Sequence, residues 1–410
     1  MVETPPSKWF ILVSQNSSLR FKLSFSFLLI FIVHLTYAQK KIQTFYNNGA
    51  LESVFFGLIS GDDTIKQGSY TSFYINGQIK TEGSFEKNHK TAVWKSYNIS
   101  GILLEKAIYV NGILSDSLMV FDDYGNLNQK VFFQKGKKNG RHFVFYPESS
   151  NKIYQKFTNK NGFKHGTLFQ YYPDGVLAQK TTYKKGKRHG QQKLWFRNGS
   201  IKEISSLKND VYHGEFLGFY KGDSVLQKRI HYKKGVLHGM VEGFFPNNNP
   251  DIKGTYKNGK LEGVYTSYFE KGGIKETGKM KSSEKTGPWM SFFQNGKLYA
   301  KGAFLDGKFN GDWTFYYPNG ELKQVGVYVN GISEGMYTFF YENGKIKKQG
   351  RFKANNMDGL WKGFYDNGIL GFEVNFKNGE NHGEYKGYDN FGNLQKHEVY
   401  ENGELIEKIK

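Results

Sequence analysis

The chain has 410 residues, 57 basic against 37 acidic side chains, and no cysteine, so disulfides, thiolate metal sites and a cysteine nucleophile are excluded. The charge is uneven. Residues 39–130 carry nine basic and nine acidic side chains, residues 131–235 carry 22 and 6, and residues 236–410 carry 23 and 21, so the basicity belongs to the middle third.

At the amino terminus, Arg20 and Lys22 precede an apolar run from Leu23 to Leu35 that closes on Thr36-Tyr37-Ala38. This pattern predicts residues 1–38 as a signal peptide cleaved after Ala38, with Leu19 as the true start, and the run is shorter than the roughly 20 residues that span a bilayer. Residues 39–410 are expected to form one exported repeat domain, in the periplasm or at the surface of a Gram-negative bacterium.

The repeat is clearest in Gly311–Gly335. Trp313, Phe315 and Tyr317 alternate with Asp312, Thr314 and Tyr316, the period of a strand. Pro318-Asn319-Gly320 turns the chain, with Asn-Gly expected to supply two positive-φ residues, and Asn330-Gly331 turns it again. Turn glycines Gly272, Gly296, Gly320, Gly344, Gly368 and Gly392 fall 24 residues apart, and Gly77, Gly101 and Gly125 repeat the spacing upstream. In many copies an aromatic residue lies seven positions before this glycine (Trp94, Trp289, Trp313, Tyr337, Trp361), with Leu or Ile two after it and another ring eight after it (Phe304, Tyr328, Phe352). The fold class read from this is all-β: an elongated single-sheet antiparallel meander of about 15 tandem β-hairpin repeats of about 24 residues. At about 4.8 Å per strand it is on the order of 140 Å long. Its core is a line of stacked rings on one face, with Gly302, Gly326 and Gly350 leaving room for a ring to lie on backbone.

Departures from the unit are few. Ser60-Gly61-Asp62-Asp63 reads as a longer loop, Pro147–Asn151 as a longer turn and Pro246–Pro250 as an irregular one. The tail ELIEKIK is a short charged strand candidate that blunts the last sheet edge.

The pattern G-x-W-x-x-Y-Y-x-N-G-x-L-x-x-x-G-x-Y-x-x-G over residues 42–405 resembles the bacterial variant of the MORN repeat. That resemblance implies β-hairpin ribbons that are mostly non-catalytic: scaffolds, protein-binding surfaces, binders of acidic lipids, or antitoxin-like partners. The eukaryotic Tyr-x-Gly-x-Trp opening is missing from most units and no kinase or methyltransferase domain is appended, so those activities are not implied.

Chemistry-bearing residues point the same way. His165, His189, His213, His238 and His382 each precede a glycine, but successive copies lie two strands apart, about 9.6 Å, too far to share a metal ion, and they read as turn-flanking polar residues. Asp62-Asp63 and Asp122-Asp123 are sequence neighbours without a converging pocket, and Ser282-x-x-Lys285 lacks the helix that its acyl-enzyme motif requires. No catalytic constellation and no cofactor are predicted. The leading candidates are the anion-binding residues Lys135, Lys137, Lys138 and Arg141, repeated as Lys184, Lys185, Lys187 and Arg188 and more weakly as Lys233 and Lys234. Placed at the second turn of their hairpins, they are expected to line one edge and attract anionic lipid, lipopolysaccharide phosphates or an acidic protein partner, or else merely to solubilise turns. Nucleic acid is not expected of an exported chain. Hairpins with Trp-x-x-Tyr-Tyr also resemble choline- and glucan-binding repeats. A glycan-binding reading therefore stays open if Phe292, Tyr316, Phe340 and Phe364 form a solvent-facing stripe.

Overall fold

The computed structural model describes residues 39–410 apart from 61, 62, 148 and 223. The predicted leader, residues 1–38, lies outside the described residues.

The two turns of each unit solve different problems. At Asn330-Gly331 both residues take positive φ, 51° and 85°, so Val329 pairs directly with Ile332 in a two-residue hairpin. At Pro318-Asn319-Gly320 only Gly320 does so, at 97°. Here the Tyr317 carbonyl accepts the Gly320 N–H at 2.9 Å, the Tyr317 N–H donates to the Glu321 carbonyl, and the register slips at Phe315/Tyr316. This corrects the expectation for Asn319: a five-residue connection opened by proline needs one left-handed residue, not two. Asn319 instead works through its side chain, accepting the Glu321 N–H at 2.9 Å and donating to the Glu342 carbonyl of the next copy at 2.9 Å.

Between turns the strands pair only with their sequence neighbours. Thirty-one strands, from Lys40–Phe45 to Glu404–Lys408, form one antiparallel sheet among the described residues. The accessible surface, 26838 Å², is well above the roughly 16,000 Å² expected of a globular chain of this mass, as an elongated single sheet requires. The tail is a strand, paired with Leu394–Glu401, and all its residues are exposed.

A bulge inside each unit aims the ring. Lys301 pairs with Thr314 and Ala303 with Asn310, so the three residues Gly311 to Trp313 oppose Gly302 alone, with Gly311 at φ 77°. The bulge lays the Trp313 indole flat on Gly302, where any Cβ would overlap the ring. Trp289 on Gly278, Tyr337 on Gly326, Trp361 on Gly350 and Trp94 on Gly83 repeat the arrangement, as expected for Gly302, Gly326 and Gly350. Each indole N–H donates to a carbonyl ten residues earlier, Trp313 to Ala303 at 3.0 Å and Trp361 to Arg351 at 3.0 Å, so the buried ring leaves no polar atom unpaired. Phe304, Tyr328 and Phe352 stand edge-on between successive rings.

A second ladder was not read from the sequence. The tyrosine that opens the proline turn donates to a carbonyl of the next copy: Tyr317 to Phe340 at 2.8 Å, Tyr341 to Phe364 at 2.8 Å, Tyr172 to Trp195 at 2.9 Å. It ties successive hairpins together along the turn side, beyond what strand pairing supplies.

The irregular units also differ from expectation. The additions around Ser60 lengthen the strands, Leu51–Ser60 and Asp63–Phe73, so that Ser60 pairs with Asp63; residues 61 and 62 of the expected loop lie outside the described residues. The strands flanking Pro147 reach Tyr146 and restart at Ser149, with the register slipping twice instead of a long loop forming. Pro246–Pro250 is a regular turn in which Asn248, at φ 67°, stands for the glycine.

Candidate anion-binding surface

All second turns fall on one edge and stack through backbone bonds. The Gly162 N–H donates to the Lys138 carbonyl at 2.8 Å, Gly186 to Lys164 at 2.8 Å, Asp210 to Arg188 at 3.0 Å and Gly235 to Tyr212 at 2.8 Å. Lys135, Lys185 and Lys234 each occupy the first turn position at positive φ, 49°, 51° and 53°, which throws their exposed side chains outward from this edge. Lys137, Lys184, Lys187 and Lys233 flank the same turns and are also exposed.

Three predicted residues sit elsewhere or are engaged. Arg141 is four residues past its turn glycine-lysine pair, on the face opposite the core, across from Thr158, so it is not an edge residue. Arg188 is half-buried and committed to the next turn: its Nε lies 3.3 Å from the Asp210 carboxylate, and its Nη2 donates to the Asp210 carbonyl at 3.1 Å. Asp210 also accepts the Arg188 N–H at 2.9 Å, and this backbone bond, with the guanidinium, lowers its pKa. Lys138 occupies the core-side slot that Phe309 fills in its own unit, where Phe309 stacks 3.9 Å from Trp313. In other copies a lysine at this slot lies over the ring instead: Lys285 is 4.2 Å from the Trp289 centroid and Lys164 is 4.5 Å from Phe157. Burial pushes the Lys164 pKa down.

The ring next to Lys138 is His142, buried against Phe157 with centroids 4.4 Å apart. Desolvation first, then the charges of Lys138 and Lys164, lower its pKa to about 4. Its Nδ1 lies 3.4 Å from the Asn159 amide, and its Nε2 is buried without a partner.

Sequence reading missed a more regular ladder. The last residue before the second turn is lysine in six consecutive hairpins: Lys160, Lys184, Lys208, Lys233, Lys257 and Lys281, all exposed. Copies lie two strands apart, about 9.6 Å. Lys160 and Lys208 fill the gaps between the predicted clusters, which are one whole hairpin apart, and the 24-residue count from Lys184 would have found both.

The histidines are strand residues beside the bulge, not turn-flanking ones; His165 pairs with Thr158 and His189 with Lys208. His213 accepts the Lys234 N–H at 3.3 Å and His382 the Asn402 N–H at 3.4 Å, the same capping of the following turn that Glu262 and Glu334 perform for Ser282 and Ala354. Among the described residues no three His, Asp or Glu side chains are grouped to hold a metal ion. Phe292, Tyr316, Phe340 and Phe364 are half-buried, so they do not make a solvent-facing stripe. The second face there exposes aliphatic residues instead, Met240, Val264, Met336 and Leu360.

The family model described as MORN repeat variant matches residues 164–185, 188–209, 237–258, 309–330, 333–354, 357–378 and 381–402. No curated protein matches the chain. Among solved structures it is similar to a chain of the TcdB2-TccC3-Cdc42 crystal structure, at 10% identity over 88% of this chain and 27% of that one, with a TM-score of 0.14. It is also similar to a chain of a Photorhabdus luminescens Tc holotoxin pore, at 11% identity over 90% and 24%, again with a TM-score of 0.14. The present chain thus spans about a quarter of the solved chains it matches, and superposition this poor carries no structural argument.

Proposed function

Because the chain belongs to the MORN repeat variant family, with seven matched hairpins between residues 164 and 402, we propose that it is a non-catalytic binding scaffold, exported to the cell envelope, that holds an anionic envelope component along its lysine edge. The observation that carries this reading is the ladder of Lys160, Lys184, Lys208, Lys233, Lys257 and Lys281, reinforced by Lys135, Lys137, Lys185, Lys187 and Lys234. A rigid row of cations at a fixed pitch raises the local concentration of any multiply anionic surface, such as lipopolysaccharide phosphates or anionic lipid headgroups. Each exposed lysine contributes about 1 kcal/mol near such a surface, so affinity grows with the number engaged and falls with salt.

Co-sedimentation with vesicles of anionic and of neutral lipid tests it. Binding to anionic vesicles that weakens with salt, and that is lost when Lys160, Lys184, Lys185, Lys187 and Lys208 become Gln, is the expected result. Equal binding by that variant would remove the edge from consideration.

A further inference from the structure

The second face of the sheet, away from the ring core, carries a different basic feature in the middle third. Cross-strand pairing sets Lys130 opposite Phe143, Phe143 opposite Lys156, Lys156 opposite Phe169, Phe169 opposite Lys180, and Lys180 opposite Lys193. Their sequence neighbours Val131, His142, Phe157 and Thr181 are buried on the core face, so strand alternation places the whole row on the other one. The row runs straight across the sheet, at mid-strand, well away from the turn edge.

Its charges are free for a ligand. Among the described residues no carboxylate lies within ion-pair distance of Lys130, Lys156, Lys180 or Lys193. Two of the lysines lie over the Phe169 ring, Lys156 Nζ at 5.3 Å and Lys180 Nζ at 5.8 Å from its centroid, and Lys130 Nζ is 5.5 Å from the Phe132 centroid on the same face. Between the rings an open groove is lined by Arg141, Phe143, Lys156, Thr158, Thr167 and Phe169. Cation, half-buried ring, cation, half-buried ring and cation therefore alternate, with hydroxyls and a guanidinium alongside.

We infer that this row binds an acidic polysaccharide in which charged and neutral sugars alternate. The pitch decides the class. Successive lysines are two strands apart, about 9.6 Å, which is close to the length of a disaccharide. A polymer with one carboxylate per disaccharide sets each anion at a lysine and each neutral sugar, with its apolar CH groups, beside a phenylalanine. A single-stranded nucleic acid carries a phosphate at every nucleotide and calls for denser cations in a continuous groove, with a ring for each base it stacks. The sheet holds the row rigid, so little ordering entropy opposes binding.

The inference is independent of the turn-edge reading, and one experiment separates them. Fluorescently labelled hyaluronan oligosaccharide, which alternates glucuronate with N-acetylglucosamine, is titrated with purified protein and followed by anisotropy. Oligothymidylate and neutral dextran serve as comparison probes. The triple variant Lys130→Gln, Lys156→Gln, Lys180→Gln is expected to bind hyaluronan at least about tenfold more weakly, from three lost contacts of roughly half a kcal/mol each. The Lys→Arg triple variant should restore binding, which shows that the Gln variant lost charge and not its fold. The edge variant should keep hyaluronan binding while losing anionic vesicles. Unchanged hyaluronan affinity in the Gln triple variant, no hyaluronan binding by the wild-type protein, or tighter binding of oligothymidylate at the row would each overturn the inference.

Discussion

From Tyr265 to Trp361 the core is a stack of rings on glycine; from Leu118 to Val241 the same two slots are filled quite differently. The ring slot becomes Leu118, His142, Leu168, Gln192, Phe216 and Val241, and the slot beneath it, glycine under every tryptophan there, becomes Ala107, Val131, Phe157, Thr181, Ser205 and Ile230. Volume lost above is regained below, as dense packing demands. The second region also admits polar groups. Thr181 and Ser205 are each 1% exposed, Thr181 donates to Gln192 at 3.2 Å, and Gln192 and Ser205 donate to the Glu203 carboxylate at 3.2 and 2.7 Å. A network of this kind is tolerated because its members are paired; His142 Nε2, His189 Nδ1, Arg229 Nε and His238 Nδ1, buried in the same region without a hydrogen-bond partner, stand outside it. The lesson is that the hairpin pitch and the bulge define the fold, while the contents of the core are negotiable if the two slots change together. The region with the softer core carries the second-face row and four of the six rungs of the edge ladder, Lys160, Lys184, Lys208 and Lys233.

The comparison can be broken most severely in the ring stack. Gly350→Ala places a methyl group inside the ring of Trp361, which is fully buried, and should cost about 3 kcal/mol. Adding Trp361→Leu copies the Ala107/Leu118 pair, so the double variant should be no less stable than Trp361→Leu alone. A double-mutant cycle by chemical denaturation measures this, and plain additivity would refute slot compensation.

Next in size is the response of the middle region to acid. His142 has a folded pKa near 4 against 6.5 in the unfolded chain. The folded state therefore binds fewer protons between those values, so its stability is fully present above about pH 6.5 and is lost as pH falls through the folded pKa. The difference amounts to about 3 kcal/mol at most. His142→Leu, as in the flanking copies, should abolish that loss, and hydrogen exchange at pH 5 should show residues 131–168 better protected in the variant; equal protection would count against it.

Smallest is the effect at the turns. Where the second turn lacks glycine, its second residue caps the previous copy: Asn355 accepts the Ser333 N–H at 2.7 Å, as Asn88, Asp210 and Ser283 do for theirs. Asn355→Ala loses this bond and keeps a left-handed residue at φ 68°, and should cost about 1 to 2 kcal/mol. Asn355→Gly loses the bond but relieves the backbone, and should be near neutral by thermal unfolding.

Much of this architecture was legible in the chain alone. A 24-residue period, strand alternation and Asn-Gly turns leave neighbour-to-neighbour pairing as the only topology, because tight turns cannot reach a distant strand. The rings at fixed slots and the glycines beneath them followed from the same count. Other features depend on register. Lys160 and Lys208 were within reach of the same count, whereas Arg141 leaves the edge because register across the sheet sets it opposite Thr158. That Arg188 is spent on Asp210, and that Tyr317 and Asn355 tie one copy to the next, are contacts made about 22 residues apart in sequence. The row of Lys130, Phe143, Lys156, Phe169 and Lys180 is the sharpest case, since its members alternate along no stretch of sequence. Sequence determined the hairpin, its period and its buried slots, because these are set by turn chemistry and apolar spacing within one copy. Only the tertiary structure decided which charges stand side by side, because neighbours across a sheet are set by bulges and register between copies.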